Sequence, residues 1–335
     1  MESKLFFAPS FFFVMSNYKK ISQKIERLII DKPGNDNTLV WVNIIDAGRK
    51  EIDYLRKEYN FNLEHLRASV ATVFSQRPMV VEEGGYLFLI LHFPTFFKGK
   101  IVAGEIEFFL GHGYLVSLHN DNLPALNELF NTAKKDQNSL LSYGTESSAT
   151  LLYEILDRLL NACYPLIDQN SLAIEEVENL IFEKQQKDAV AKILNLRRNI
   201  INIRKIMQNH KNILQKLMGM RSSLVPPESL KRQYGHLVEH SKRIWEMLDN
   251  QKEMVEVLND TNESLLNDRM NNIMKTLTLF SVIVFPLTLL AAIFGMNAKY
   301  MPFVDQRYGF WIILFIMGLG SWGMLWYFKK KDWLN

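Results

Sequence analysis

The chain has 335 residues, enough for one large or two ordinary domains, and 48% of them are hydrophobic, ample for a packed core. A formal net charge of +3 gives no reason to expect nucleic acid as a partner. A single cysteine, Cys163, excludes an internal disulfide framework and a cysteine-rich metal site; its neighbours Leu159, Leu160 and Leu166 mark it as a buried, inert thiol.

The N-terminus opens on an apolar run, Leu5 to Met15, interrupted by Pro9-Ser10. Asn17-Tyr18-Lys19-Lys20 stands where a signal peptide would place its cleavage site, so the run reads as a first strand or an apolar arm. Leu39–Ile45 has the length and composition of a strand, and Ile52 to Tyr59 repeats apolar residues at helical spacing. Tyr86–Phe93, almost wholly apolar, and Glu105–Leu110 read as further strands. Gly111-His112-Gly113 turns the chain into another, Tyr114–His119. Residues 1–150 are therefore expected to form a cytoplasmic α/β domain with a largely buried sheet, in which His92 and His119 end strands and serve structure.

Residues 151–226 are expected to be a cytoplasmic helical region. The helical pattern begins at Thr145 and reaches Met220, with no proline or interior glycine from Ser171 to Gly219. Five acids lie from Glu175 to Asp188, and the bases Lys192, Arg197, Arg198, Arg204, Lys205, Lys211 and Lys216 follow. This predicts two solvated antiparallel helices segregated by charge. Gly219 to Pro227 breaks the pattern, and a new helix starts with Glu228 in its first turn. It meets no proline until Pro286. Carried on to Met296 it has about 70 residues, roughly 100 Å at 1.5 Å per residue. Its portion 227–272 is a stalk that needs partners along its length, which an oligomeric bundle would supply. On it His236 and His240 stand four apart beside Glu239, a spacing that suits either a transition-metal pair or two solvated side chains.

No charged residue lies between Lys275 and Lys299, nor between Arg307 and Lys329. Each stretch exceeds the ~20 residues a helix needs to cross a ~30 Å hydrocarbon layer. The segments 273–296 and 308–328 are thus two transmembrane helices joined by the short loop 297–307, a hairpin. The basic tail 329–335, with Lys329-Lys330-Lys331, keeps both termini in the cytoplasm. Trp311, Trp326 and Tyr327 lie near the ends of the second span, where aromatic rings favour the interface. Gly318, Gly320, Ser321 and Gly323 in that span permit close helix contact. The first span carries a stripe of another kind: Asn271, Met274, Thr278, Ser281, Phe285, Thr288, Ala292 and Gly295 recur at three- and four-residue steps, flanked by Leu277. The stripe suits a pore lining or a helix contact, and its pattern does not choose between them.

The first span ends in Gly295-Met296-Asn297, preceded by Phe285-Pro286-Leu287-Thr288 and followed by Met301-Pro302. The C-terminus reads Tyr327-Phe328-Lys329-Lys330-Lys331-Asp332-Trp333-Leu334. Here the chain resembles the CorA-type magnesium transporters, which carry a Gly-Met-Asn signature at the outer end of the first of two C-terminal spans. Leu196-Arg197-Arg198-Asn199-Ile200, Trp41-Val42-Asn43, Gln76-Arg77-Pro78 and Tyr86-Leu87-Phe88-Leu89-Ile90-Leu91-His92 also look like family elements, so the resemblance covers most of the chain. It implies a homopentameric funnel in the inner (plasma) membrane whose pore is lined by the first span of each subunit. Gly295, Met296 and Asn297 would form the selectivity filter, with Asn297 holding a hydrated ion. Thr288 would form a polar ring below it, and Asn271, Met274 and Leu277 the narrow inner neck, with Ser281 and Phe285 between.

The implied cargo is Mg²⁺, with Co²⁺ or Ni²⁺ as further ions, drawn inward by a membrane potential worth ~2.3 kcal/mol per charge per 100 mV. Beyond its own copies, membrane lipid and the cation, no partner or cofactor is implied. Two departures stand out. Many members carry acids at the positions of Lys299 and Phe303, and only Asp305 remains acidic in this loop. Many also carry an acidic pair, part of a cytoplasmic Mg²⁺ sensor, where this chain has Ser69 and Val70. Closure by cytoplasmic Mg²⁺ is therefore expected to be weak or altered, unless neighbouring acids such as Glu64, Glu82 or Glu83 take over. The competing readings are zinc transport, against which Met296 argues, and a membrane-anchored scaffold with no flux. GxSxG, phosphate-loop and HExxH elements are absent from the sequence, so an enzyme is not expected.

Overall fold

The computed structural model of the protein describes residues 18–30, 38–70, 77–135, 147–183, 185–220, 223–224, 228–296, 302 and 307–331. The apolar run from Leu5 to Met15 falls outside them. The chain divides into two compact units, residues 1–180 with 188–258, and residues 181–187 with 259–335.

The first unit is built on a seven-stranded sheet. Its strands are β1 (Tyr18–Lys20), β2 (Ile25–Ile30), β3 (Leu39–Ile45), β4 (Met79–Glu83), β5 (Tyr86–Phe97), β6 (Lys100–Gly111) and β7 (Tyr114–His119). They lie in the order β1-β2-β3-β7-β6-β5-β4, and only β3 and β7 run parallel. The first ten residues of β5 are all buried, the mark of a strand covered on both faces. One face carries Val42, Ile44, Phe88 and Phe109 against Ile52 and Leu55 of α1 (Arg49–Tyr59) and Leu66 of α2 (Leu63–Ala68). The other carries Leu28, Trp41, Leu89 and Phe108 against Leu126 and Phe130 of α3 (Pro124–Lys135) and Leu152 and Ile155 of α4 (Ser148–Asn161). Trp41 meets the Phe130 ring edge-on at 4.9 Å and donates its indole N–H to Ser117 Oγ at 3.0 Å. The turn into β7 places Gly113 at φ +77°, and a Cβ on Gly111 would lie 2.0 Å from the Tyr114 ring, so this glycine pair is required by geometry.

β3 and β7 match the strands expected from sequence. β5 and β6 are longer: they extend to Phe97 and from Lys100, joined at Lys98-Gly99, both with positive φ. The longer β5 takes in Pro94. It is accommodated because β4 pairs only with Tyr86–Ile90, leaving the later part of β5 at an edge where a missing N–H costs nothing. His92 therefore sits inside a strand, not at its end, whereas His119 does end one.

Helices α5 (Tyr164–Phe182), α6 (Gln186–Met207) and α7 (His210–Gly219) follow. The Lys192–Glu176 ion pair joins α5 and α6 as antiparallel neighbours. The expectation of two solvated helices needs correction: there are three, and Val177, Ile193, Leu196, Ile200 and Ile203 form a buried stripe. α8 (Glu228–Phe294) is continuous for 67 residues. In the first unit Gln251 clamps it, donating to the Ile167 carbonyl at 2.8 Å and Ser171 Oγ at 2.9 Å. The second unit holds the α5–α6 turn, α8 from Asn259 onward, and α9 (Gly309–Lys330). Both α8 and α9 contain stretches long and apolar enough to span a membrane, and in each apolar window only 6% of residues are buried.

Candidate functional site

Along α8 the residues Asn271, Met274, Leu277, Thr278, Ser281, Phe285, Thr288, Ala292 and Gly295 fall within an arc of about 120° at 100° per residue. All are exposed or half-exposed, and Phe285 is 72% exposed. Each hydroxyl of this face turns back on its own helix. Thr278 donates to the Met274 carbonyl at 2.8 Å, Ser281 to Leu277 at 2.9 Å and Thr288 to Val284 at 2.9 Å. With the O–H committed, a hydroxyl presents only its lone pairs outward. A row of acceptors suits the water shell of a cation, whose hydrogens point away from the ion. Mg²⁺ gives up that shell reluctantly, so acceptors that bind the shell rather than the bare ion match its chemistry.

The C-terminal end of α8 closes tightly. Gly295 N–H reaches the Ala291 carbonyl at 2.9 Å and Met296 N–H the Ile293 carbonyl at 3.2 Å. A Cβ on Gly295 would stand 3.1 Å from the Ala291 oxygen, which explains a glycine here. The carbonyl end of a helix carries partial negative charge, so α8 directs a field favourable to a cation toward the next residue. That residue, Asn297, lies outside the described residues, as do Lys299, Phe303 and Asp305. In α9 a Cβ on Gly318, Gly320 or Gly323 would meet nothing within 4 Å, leaving that small-residue surface open for close packing.

The candidates in the first unit are more dispersed. His236 is exposed, while His240 stacks on Tyr164 with centroids 5.2 Å apart and lies 3.6 Å from Asp157. Among the described residues no group of three or more His, Cys, Asp and Glu side chains is placed to hold a metal ion. Ser69 and Val70 line a cleft of about 440 Å³. Ser69 Oγ is committed to the His65 carbonyl at 3.1 Å. Of the neighbouring acids, Glu83 accepts from Asn62 at 2.6 Å and stands 3.5 Å from His65. The same cleft holds Asp46, Glu105, Glu107 and His119. Glu105 pairs with His92 at 2.8 Å. Burial, then the hydrogen bond and charge of Glu105, push the Glu107 carboxyl well above the usual carboxylate range. Burial lowers His119 and brings His210, fully enclosed beside Phe93, down to about 4. Cys163 is buried, its thiol pushed up to about 12, and is inert at neutral pH. Sequence reasoning passed over the Glu105/Glu107 pair, although its spacing of two in a strand places both carboxyls on one face.

Known proteins share this architecture. A family model described as CorA-like Mg2+ transporter protein matches residues 36–330. The cobalt/magnesium transport protein CorA of Thermotoga maritima is 25% identical over 303 residues, 90% of this chain and 85% of its own. The zinc transport protein ZntB of Yersinia enterocolitica is 26% identical over 191 residues, covering 57% of this chain and 58% of its own. The solved structure of the CorA magnesium transporter from Methanocaldococcus jannaschii superposes with a TM-score of 0.79 at 21% identity, over 88% of this chain and 91% of that one.

Proposed function

The chain belongs to the family of CorA-like Mg²⁺ transporters, and from that premise we propose that it conducts hydrated Mg²⁺, with Co²⁺ as a second cargo, into the cytoplasm down the membrane potential. The family is one of membrane ion transporters, and two apolar C-terminal helices give this member its spans. In this reading five copies surround a pore lined by the α8 stripe, both termini are cytoplasmic, and loop 297–307 faces outward. The filter is Gly295, Met296 and Asn297. Asn271, Met274 and Leu277 form the inner constriction, where apolar side chains close the path by excluding water. Residues 227–272 act as a stalk between the α/β domain and the pore. With Ser69 committed to backbone and Val70 offering nothing to a hard cation, cytoplasmic Mg²⁺ closes the pathway only weakly.

The observation that carries this reading is the row of α8 hydroxyls that have spent their hydrogens on the helix and present acceptors alone. Uptake of Mg²⁺, Co²⁺ and Zn²⁺ into proteoliposomes under an inside-negative potential tests it. Mg²⁺ entry that grows with the potential is expected. Correctly inserted protein that passes none of the three ions would be a scaffold, and passage of Zn²⁺ alone would move the chain to the zinc reading.

A further inference from the structure

Within the membrane-proximal unit, a groove of about 910 Å³ lies between the α5–α6 turn and α8. Its walls include Ile181, Phe182, Leu265, Ile273 and Phe280. At 100° per residue, Leu265, Arg269, Ile273, Thr276 and Phe280 centre on the side of α8 roughly opposite the polar stripe. Most of the groove therefore faces away from the proposed pore, while Leu277, assigned to the inner neck, lines its edge. It also straddles the level at which charge disappears from the chain, since Asp268 and Arg269 line it and no charged residue follows Lys275 until Lys299. Phe182 is 65% exposed there, an apolar ring with no reason to face water.

Two polar groups give the groove chemical character. Arg269 is exposed on its wall, while the neighbouring Asp268 carboxylate accepts from Asn272 at 3.2 Å. Gln186 also lines it and is only 7% exposed. Its Nε2 donates to the Ile181 carbonyl at 3.3 Å, but its Oε1 is buried with no hydrogen-bond partner. A buried acceptor left unmatched is unfavourable, so a ligand that brings a donor is favoured.

We propose that this groove binds an anionic phospholipid with a hydroxyl-bearing headgroup. The acyl chain lies along Phe182, Ile273 and Phe280, the phosphate meets Arg269, and a headgroup hydroxyl donates to Gln186 Oε1. The proposal needs membrane insertion but not conduction, so it stands or falls apart from the transport reading. The test uses full-length protein in nanodiscs of equal phosphatidylglycerol and phosphatidylcholine, extracted into detergent, with retained lipid read by native mass spectrometry. Phosphatidylglycerol is expected to be enriched, and Arg269→Gln to cut the enrichment about fivefold, the factor that ~1 kcal/mol per basic side chain at an anionic surface gives. A photo-crosslinker replacing Phe182 should capture lipid. Enrichment unchanged by Arg269→Gln, or crosslinking of Phe182 to a second copy of the chain, overturns the proposal, the latter by making the groove a subunit contact.

Discussion

Trp41 and Trp322 are one side chain in two solvents. Trp41 is wholly buried in the sheet domain, its N–H given to Ser117, 76 residues away, and its ring set against Phe130. Trp322 is 68% exposed on α9, in a span that fewer than one residue in ten buries. Polar groups divide the same way. In the sheet they find partners far along the sequence, as when Ser117 donates to Asn43 at 2.7 Å. In the span of α9 they find them four residues back, as Ser321 does on the Met317 carbonyl at 2.9 Å. Water expelled from a core rewards distant pairing, whereas a hydrocarbon surround rewards a helix that satisfies itself. The sheet domain is specified by its interior, and the span by what its surface offers to its surroundings.

The largest effect expected from this division is at Asn297. Under the proposed filter assignment, Asn297→Ala should abolish or strongly impair Mg²⁺ flux in proteoliposomes, yet leave assembly and the unfolding of the sheet domain unchanged. Normal flux with normal ion preference in that variant removes the filter assignment. The paired tryptophans come next. Trp41→Ala should destabilise the sheet domain by about 3–5 kcal/mol. Trp322→Ala should leave the same transition within about 0.5 kcal/mol. Chemical denaturation of the detergent-solubilised protein reads both, and equal losses would erase the contrast. A smaller change is expected from Met274→Ser, which should wet the inner neck and raise resting leak. If it conducts no more than the parent at high internal Mg²⁺, the constriction lies elsewhere, with Phe285 the next candidate.

Much of this was legible in the sequence because the strongest signals are those of solvent. The two charge-free stretches and the single helix from Glu228 followed from composition and the placing of Pro226-Pro227 and Pro286. β3 and β7 followed from short apolar runs bounded by turns. The misses arose where tertiary context overrides a local rule. A proline usually ends a central strand but is tolerated where the strand is an edge, and β5 runs through Pro94 to Phe97. The break between α6 and α7 at Gln208-Asn209 carries neither proline nor glycine. Glu107 had no role in the strand read at Glu105–Leu110, and the sheet places it inside a cleft. The polar stripe was visible as a pattern, but the direction of its hydroxyl hydrogens was not, and that direction gives the stripe its chemistry.

The smallest expected effect, and the one that most sharpens the contrast, concerns pH. The span presents no titratable group from Thr276 to Met296, so the pH dependence of folding arises outside it. Glu107 there shares its cleft with Glu105, Asp46, Lys24, Arg49 and His119. Its carboxyl is raised, so the folded protein keeps a proton that the unfolded chain gives up near 4.5. The resulting stability is full below that value and is lost as pH rises through the folded one. His210, lowered to about 4 from 6.5, acts in the opposite sense: its contribution is full above 6.5 and is lost as pH falls toward about 4. Glu107→Gln keeps the shape and removes the ionisation. Thermal unfolding of the full-length protein from about pH 5 to pH 9 should show an alkaline decline in the parent that is flattened in the variant, while the acid decline is shared by both. Identical alkaline slopes would mean that Glu107 is already ionised in the fold, stabilised by Lys24 or Arg49 across the cleft.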